Sequence, residues 1–379
     1  MNYLMTPEQK ELIALVEDFA KNEVAPISKE YDLSGEFPIE VFRMAAEMGL
    51  TMMQIPEQFG GLGQSTMTQV MMLETLAKAD AGFSVAIGAC GLATVPVLMA
   101  GTDEQKQKMA DILAAGGMAA FCLTEADAGS DAAALKTTAT EDGDDYIING
   151  AKTFITNGGY ADIYTVFATV DRSLGAKGIT AFLVERDRPG VSVGKEENKM
   201  GIRLSNTTDV MFQNVRVPKS NMLGKIGQGL KIALGTLDQT RATGSSAAVG
   251  ICQQAIDLCV QYAKERKTFG KPIIANQAIQ FKLADMQIKT QTARQMIAFC
   301  AQEMDAGIID GPTSAVAKTY AGDVAVEVAL EAIQIFGGYG YSREFPVEKL
   351  LRDAKIFQIF EGTAEIQRMV IAGDLARRG

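Results

Sequence analysis

Histidine is absent from this 379-residue chain, and so is tryptophan. Without an imidazole, proton transfer near neutral pH falls to a carboxylate, lysine, cysteine or tyrosine, and mixed His/Cys metal sites are excluded. The five cysteines form no C-x-x-C pair and their number is odd. Buried free thiols of a reducing cytosol are therefore expected, with no disulfide framework and no zinc site. No carboxylate cluster has ligand spacing, so no metal is expected. Basic residues are outnumbered, 36 against 46 acidic, for a net charge of −10. Phosphate binding needs a basic face, so nucleic acid is not an expected partner. The opening Met-Asn-Tyr-Leu-Met-Thr-Pro-Glu has neither a basic region nor a long apolar core, so no secretory signal is expected. The chain reads as having no run of about 18 apolar residues, so nothing is expected to span a membrane. A cytoplasmic protein is the expectation.

What is present is globular: 47% of residues are apolar and 22% charged. The length calls for two or three domains. Residues 1–118 read as helical. Thr6-Pro-Glu-Gln9 and Thr102-Asp-Glu-Gln105 are capping boxes, and Leu12, Ile13, Val16, Phe19 and Ala20 share one helical face. Gly60-Gly-Leu-Gly63 does not follow a strand and reads as a loop. Residues 119–228 carry short β-type runs at 136–140, 146–149, 152–156, 163–169, 178–184 and 210–217, with Glu141–Asp145 as a hairpin turn. That density suggests a small sandwich or barrel. Residues 229–379 return to helix, in long segments at 230–266, 277–306 and 313–336. Leu283, Met286, Ala293, Ile297 and Cys300 step by three and four, skipping Thr290, as a bundle-facing stripe does. The fold class is mainly α with a middle β domain.

Five segments carry chemistry. Arg352-Asp-Ala-Lys-Ile-Phe-Gln-Ile-Phe-Glu361-Gly-Thr-Ala-Glu365-Ile-Gln367 sets Glu361 between Phe360 and Gly362. Apolar neighbours raise a carboxyl pKa by desolvation, which suits a general base; a helix-capping glutamate fits the same residues. Phe121-Cys-Leu-Thr-Glu-Ala-Asp-Ala-Gly129-Ser130-Asp131 can cradle a cofactor's polar edge or be an ordinary polar loop. Lys152-Thr-Phe-Ile-Thr-Asn-Gly-Gly159 alone is a strand closing in a turn. Arg266-Lys-Thr-Phe-Gly-Lys271 is a basic loop suited to pyrophosphate or to solvent. Gln334-Ile-Phe-Gly-Gly-Tyr-Gly340 ends a helix with more glycines than a C-cap needs.

Taken together, in this order and over the whole length, these segments and the Asp238-Gln-Thr-Arg241 turn closely resemble the acyl-CoA dehydrogenase family, most of all its short-chain and butyryl-CoA group. The resemblance implies a helical domain, a middle β-barrel and a C-terminal four-helix bundle, assembled as a homotetramer, a dimer of dimers. It implies FAD, with Phe121, Leu123, Thr124, Gly129, Ser130, Phe154, Ile155 and Thr156 around the flavin. A neighbouring subunit would reach the ADP part with Arg266, Thr268, Phe269, Gln277, Gln334, Phe336, Gly337 and Gly338, and Thr363 and Glu365 would complete the cofactor site. Ser130, Asp238, Arg241 and Gly362 match positions that touch the acyl-CoA.

The implied chemistry has Glu361 take the α-proton while the β-hydride passes to the flavin, leaving a trans-2-enoyl-CoA. Electrons would leave through an electron-transferring flavoprotein. Some members carry the base at the position of Thr240, where threonine cannot serve. The chain departs from the family pattern with Phe154 in place of a frequent tryptophan, Phe360 in place of tyrosine, and Asn276-Gln277 in place of His-Gln. The same residues would serve the reverse reaction, an enoyl-CoA or aryl-acrylyl-CoA reductase. Small residues at 86–99 and 234–249, among them Gly88, Gly91 and Gly244, leave room for a branched or aromatic acyl group or serve close helix packing.

Overall fold

The computed structural model describes residues 4–378. Six helices come first: α1 (Pro7–Phe19), α2 (Ala25–Ser34), α3 (Ile39–Glu47), α4 (Thr66–Ala79), α5 (Ala81–Ala100) and α6 (Asp103–Ala114). Both capping boxes form, with Thr6 and Thr102 each accepting from the N3 backbone while the N3 glutamine reaches back. A one-turn π segment, Ala20–Val24, joins α1 to α2. Gly60–Gly63 is loop, as expected.

Helix α5 corrects one expectation. Its 20 residues have a mean hydropathy of 2.0, long and apolar enough to cross a membrane. Here most of the helix is buried inside the protein, packed on α4 and on the sheet domain. An all-round apolar helix is what a core position demands.

Eight strands follow: β1 (Ala119–Cys122), β2 (Thr138–Asp142), β3 (Asp145–Thr156), β4 (Ile163–Thr169), β5 (Ile179–Glu185), β6 (Val191–Glu196), β7 (Thr207–Pro218) and β8 (Met222–Leu223). They form one sheet in the order β6-β7-β3-β2-β4-β5-β8, with β1 parallel to β4. The expected hairpin pairs Asp142 with Asp145. Two runs expected as separate strands are one, β3, interrupted by register shifts after Ile148 and Lys152. Strand β6 was not among the expected runs: it pairs only with β7, and its side chains are at most half-buried. It therefore lacks the apolar alternation that marks a core strand.

Beyond the sheet lie α7 (Gly229–Glu265), the short pair β9 (Lys267–Thr268) and β10 (Lys271–Pro272), α8 (Gln277–Asp305), α9 (Gly311–Phe336), α10 (Val347–Ala354) and α11 (Ala364–Arg377). The three long helices end within two residues of the expected limits. Thr290, which interrupts the apolar stripe of α8, is buried with its hydroxyl donating to the Met286 carbonyl at 2.8 Å. All five cysteines are buried free thiols.

Buried ion pairs lock the units to one another. Arg294 of α8 grips Glu74 of α4 at 2.8 and 3.0 Å, with both side chains at most 2% exposed. Lys349 of α10 bridges Asp80 at the start of α5 and Asp353 at 2.8 and 2.5 Å. Asp353 also accepts the Ile202 N–H from the sheet domain at 2.6 Å. Burial opposes the Lys349 charge, but Asp353 and Asp80 more than offset it and hold its pKa above the usual lysine range. Removing one member of a buried pair strands the other. Arg294→Met should therefore cost roughly 3–5 kcal/mol in denaturant unfolding, and adding Glu74→Leu should recover most of the loss.

Candidate functional site

The turn between α10 and α11 carries Glu361. Apolar packing brings it there: Phe357 is buried and meets Phe360 edge-on at 5.1 Å. Glu361 and Gly362 then take consecutive left-handed conformations, φ 52° and 85°. Glycine adopts this freely, whereas for glutamate it is uncommon and held only by its surroundings. Gln367, fully buried, donates to the Glu361 and Gly362 carbonyls at 3.1 and 3.2 Å. The N-cap of α11 is Thr363, whose hydroxyl accepts the Ile366 N–H at 3.2 Å. The helix cap is therefore Thr363 and not Glu361.

The Glu361 carboxylate lies on α7 where Gly244 has no side chain. A Cβ there would sit 2.5 and 2.7 Å from its two oxygens. Oε2 is inaccessible and has no hydrogen-bond partner. Burial pushes the carboxyl pKa up to about 7, against the opposing charges of Lys318 and Arg241. Arg241, 5% exposed, pairs with Asp238 and donates to the Ser314 hydroxyl at 3.0 Å. Its Nε and the Thr240 and Thr319 hydroxyls are buried without partners. Asp238, Arg241, Glu361 and Gly362 therefore gather where α7, α9 and α11 meet.

A second group sits on the sheet. The backbones of Thr124 and Thr153 bond at 2.9 Å, setting the end of β1 beside β3. Beneath them the buried Lys152 donates to the Leu123 carbonyl at 3.1 Å and to Glu125 at 2.7 Å. Glu125 also takes the Lys136 and Thr137 N–H groups at 2.6 and 2.9 Å. The register shift in β3 turns Phe154 outward, at φ 56° and 64% exposed, while Ile155 stays in the core. Gly129 and Ser130 are exposed on the adjoining loop, and a Cβ on Gly129 would meet nothing within 4 Å. Asn157, left-handed and buried, donates to the Ala86 carbonyl of α5 at 2.8 Å. Helix α5 packs in turn along α7, so it links this group to the Glu361 turn.

A third group lies at the far end of the bundle. Arg266 stands over the Tyr339 ring at 5.5 Å, and Tyr262 stacks on Phe336 at 4.1 Å. This brings the Arg266-Thr268-Phe269-Gln277 stretch beside Gln334, Gly337 and Gly338. Phe269 is fully exposed, Gln277 and Gln334 are exposed, and Gly337 and Gly338 have open space at Cβ. Glu365 is exposed on the first turn of α11. A cavity of about 790 Å³ beside Lys21, Lys29, Lys78 and Glu344 contains none of these residues.

Some glycines of α5 and α7 sit at close packing contacts, whereas a Cβ on Gly88 would meet only the Leu73 side chain at 3.8 Å. A Cβ on Gly82 would strike the Ile202 backbone at 2.8 Å, on Gly91 the Gln54 amide at 2.9 Å, and on Gly250 the Glu74 carbonyl at 2.6 Å. Sequence reading passed over Glu125, Lys152, Lys318 and Gln367. A lone lysine inside Ala315-Val-Ala-Lys318-Thr-Tyr320 was a legible sign of a buried cation.

Family models match three consecutive parts of the chain: the acyl-CoA dehydrogenase N-terminal domain over residues 6–117, the middle domain over 120–215 and the C-terminal domain over 227–376. The chain belongs to the acyl-CoA dehydrogenase family, a family of oxidoreductases. It is 43% identical to an acyl-CoA dehydrogenase of Bacillus subtilis over 97% of this chain and 98% of that one. Its structure resembles butyryl-CoA dehydrogenase from Megasphaera elsdenii, with a TM-score of 0.96 and 43% identity over 99% and 100% of the two chains. It also resembles a chain solved in work on the electron transferring flavoprotein of Acidaminococcus fermentans and flavin-based electron bifurcation, with a TM-score of 0.97 and 41% identity over all of both. An acyl-CoA dehydrogenase complexed with FAD from Bacillus anthracis matches with a TM-score of 0.92 and 35% identity over 99% of this chain and 69% of that one.

The raised pKa of Glu361 has a consequence for stability. The folded state holds this proton up to about pH 7, whereas an unfolded chain releases it near pH 4.3. The group therefore costs stability as pH rises through that window. Glu361→Gln should be more stable than the parent at pH 8, by roughly 4 kcal/mol, and equal to it at pH 4. Thermal unfolding at the two pH values checks this.

Proposed function

We propose that the chain oxidises a short-chain acyl-CoA to its trans-2-enoyl-CoA, with Glu361 as the base and FAD as the cofactor. The observation that carries this reading is the Glu361 carboxylate, whose buried Oε2 lacks any partner and whose pKa lies near neutrality. A base at that pKa is half-ready at working pH, where proton transfer is most efficient. The short acyl chain rests on the likeness to the butyryl-CoA enzyme.

The residues present fit FAD. An outward-facing phenylalanine at 154, exposed glycines at 129, 337 and 338, and an exposed basic loop at 266–271 supply a planar contact, close backbone approach and charge for a pyrophosphate. Phe121, Leu123, Thr124, Ser130, Phe154, Ile155 and Thr156 would hold the flavin end. The groups around Arg266 and Gln334, with Thr363 and Glu365, would hold the rest. When bound, FAD supplies the acceptor for the β-hydride.

The chain's own part is acid–base and electrostatic. Glu361 takes the α-proton at its carboxylate, whose Oε2 is out of reach of water. Its backbone N–H, offered to the thioester carbonyl, would steady developing enolate charge, an effect worth roughly 3 kcal/mol. Arg241, fixed by Asp238 and Ser314, presents an unpaired buried Nε to the same space. Thr240 has no ionisable group and does not compete as base.

We further read the protein as a homotetramer that hands electrons to an electron-transferring flavoprotein in the cytoplasm. The apolar side chains Phe281, Ile288 and Phe299 on α8, and Met369 and Leu375 on α11, are more than half exposed. Such a surface suits contact with further copies. Free buried thiols suit a reducing compartment. Reduction of an enoyl-CoA is the second reading, favoured by the likeness to the chain from the bifurcation work.

Anaerobic bleaching of the flavin by butyryl-, octanoyl-, isovaleryl- and phenylpropionyl-CoA tests substrate. Butyryl-CoA should be fastest. Glu361→Gln should keep FAD and abolish bleaching, and substantial residual reduction would place the base elsewhere. Gly244→Ala should displace the carboxylate and slow bleaching about 100-fold while FAD remains bound.

A further inference from the structure

We propose that Lys318 is a positioning residue for Glu361: its buried ammonium holds the Gly362 carbonyl, fixing the left-handed turn that presents the carboxylate, and sets its charge against that carboxylate. The proposal rests on reading Glu361 as the base.

Lysine is rarely buried without a carboxylate partner. Among the described residues the most deeply buried lysines are Lys152 at 0% and Lys318 at 2% exposure. Lys152 is ion-paired to Glu125 at 2.7 Å. Lys318 has no carboxylate within 4 Å among the described residues, and its one hydrogen bond there runs from Nζ to the Gly362 carbonyl at 2.7 Å. An ammonium carries three donors, so most of its capacity is unspent. Such a cation is kept by something other than stability.

Its location says what that is. Gly362 follows the base directly, and the φ of 52° at Glu361 persists only where neighbours over-determine it. Lys318 from α9 and Gln367 from α11 hold that turn from two sides. The charged groups acting on Glu361 are Lys318 of α9 and Arg241 of α7. Lys318 in turn feels burial first, which lowers its pKa to about 8, then Glu361, Arg241, Asp323 and Glu365. The lysine thus opposes the desolvation that would otherwise leave Glu361 protonated at working pH. Arg241 is already committed to Asp238 and Ser314, so Lys318 is the less engaged of the two cations.

The test uses holoenzyme carrying Lys318→Met, Lys318→Gln or Lys318→Arg. The first readout is the infrared band of the protonated Glu361 carboxyl, identified by its loss in Glu361→Gln and titrated with pH. The second is the pH profile of flavin reduction by butyryl-CoA. In Lys318→Met the carboxyl midpoint should rise by roughly one pH unit, moving the acidic limb of the profile with it. kcat should fall at least tenfold, with KM changed less, and Lys318→Arg should restore the midpoint. If Lys318→Met does not fold, Lys318→Gln keeps a donor near Gly362 without the charge and must show the same rise. An unchanged midpoint in a folded neutral variant overturns the proposal. Reduction persisting in Glu361→Gln would instead sink the base assignment, and the infrared shift would still report on Lys318.

Discussion

A carboxylate with one oxygen buried and without a hydrogen-bond partner is the constraint on which this molecule turns. Moving a charged oxygen out of water costs several kcal/mol unless something compensates. At Glu361 the compensation is deliberately incomplete. Two cations stand near, neither in contact distance of an ion pair, and a glycine on the facing helix leaves space for the head group. The result is an acid whose proton affinity sits near neutrality. In a chain with no histidine, such a carboxyl titrates in the range an imidazole would otherwise cover.

Holding such a group requires a stiff frame, and the frame is built at the meeting of three units. The Glu74–Arg294 pair ties the first helices to the bundle. The Asp80–Lys349–Asp353 group, with the Ile202 N–H, ties first helices, sheet and bundle in one connected set. These groups are buried and mutually satisfied, so breaking any one leaves a stranded charge. Helix α5 then runs through the centre, fastened to the sheet by Asn157 and by Thr165, whose hydroxyl donates to the Ala93 carbonyl. A small movement between units would shift Glu361 relative to the sheet residues, and the buried pairs oppose it.

Much of this was legible in advance, for identifiable reasons. The stripe of α8 followed from three- and four-residue apolar spacing, a local signal, and the extents of α7 and α9 lie close to those expected. The capping boxes and the Asp142–Asp145 hairpin were local as well. The failures arose where neighbours decide. Strand β6 is an edge with half-buried faces, so its sequence shows little alternation. The bulge that exposes Phe154 depends on pairing β3 with β7. Helix α5 has the composition of a membrane span, and its place inside the protein is a matter of what surrounds it.

The division is clearest in the last forty residues. The sequence by itself determined that an acidic residue would follow an apolar run and precede glycine, in a long set of motifs shared with one family. It left open whether that residue capped a helix or carried chemistry. Tertiary structure removed the first of these, by giving the cap to Thr363 and laying the glutamate on Gly244, more than a hundred residues away in the chain. Desolvation and through-space charge depend on what folds alongside, and no local pattern records the approach of Lys318 or Arg241.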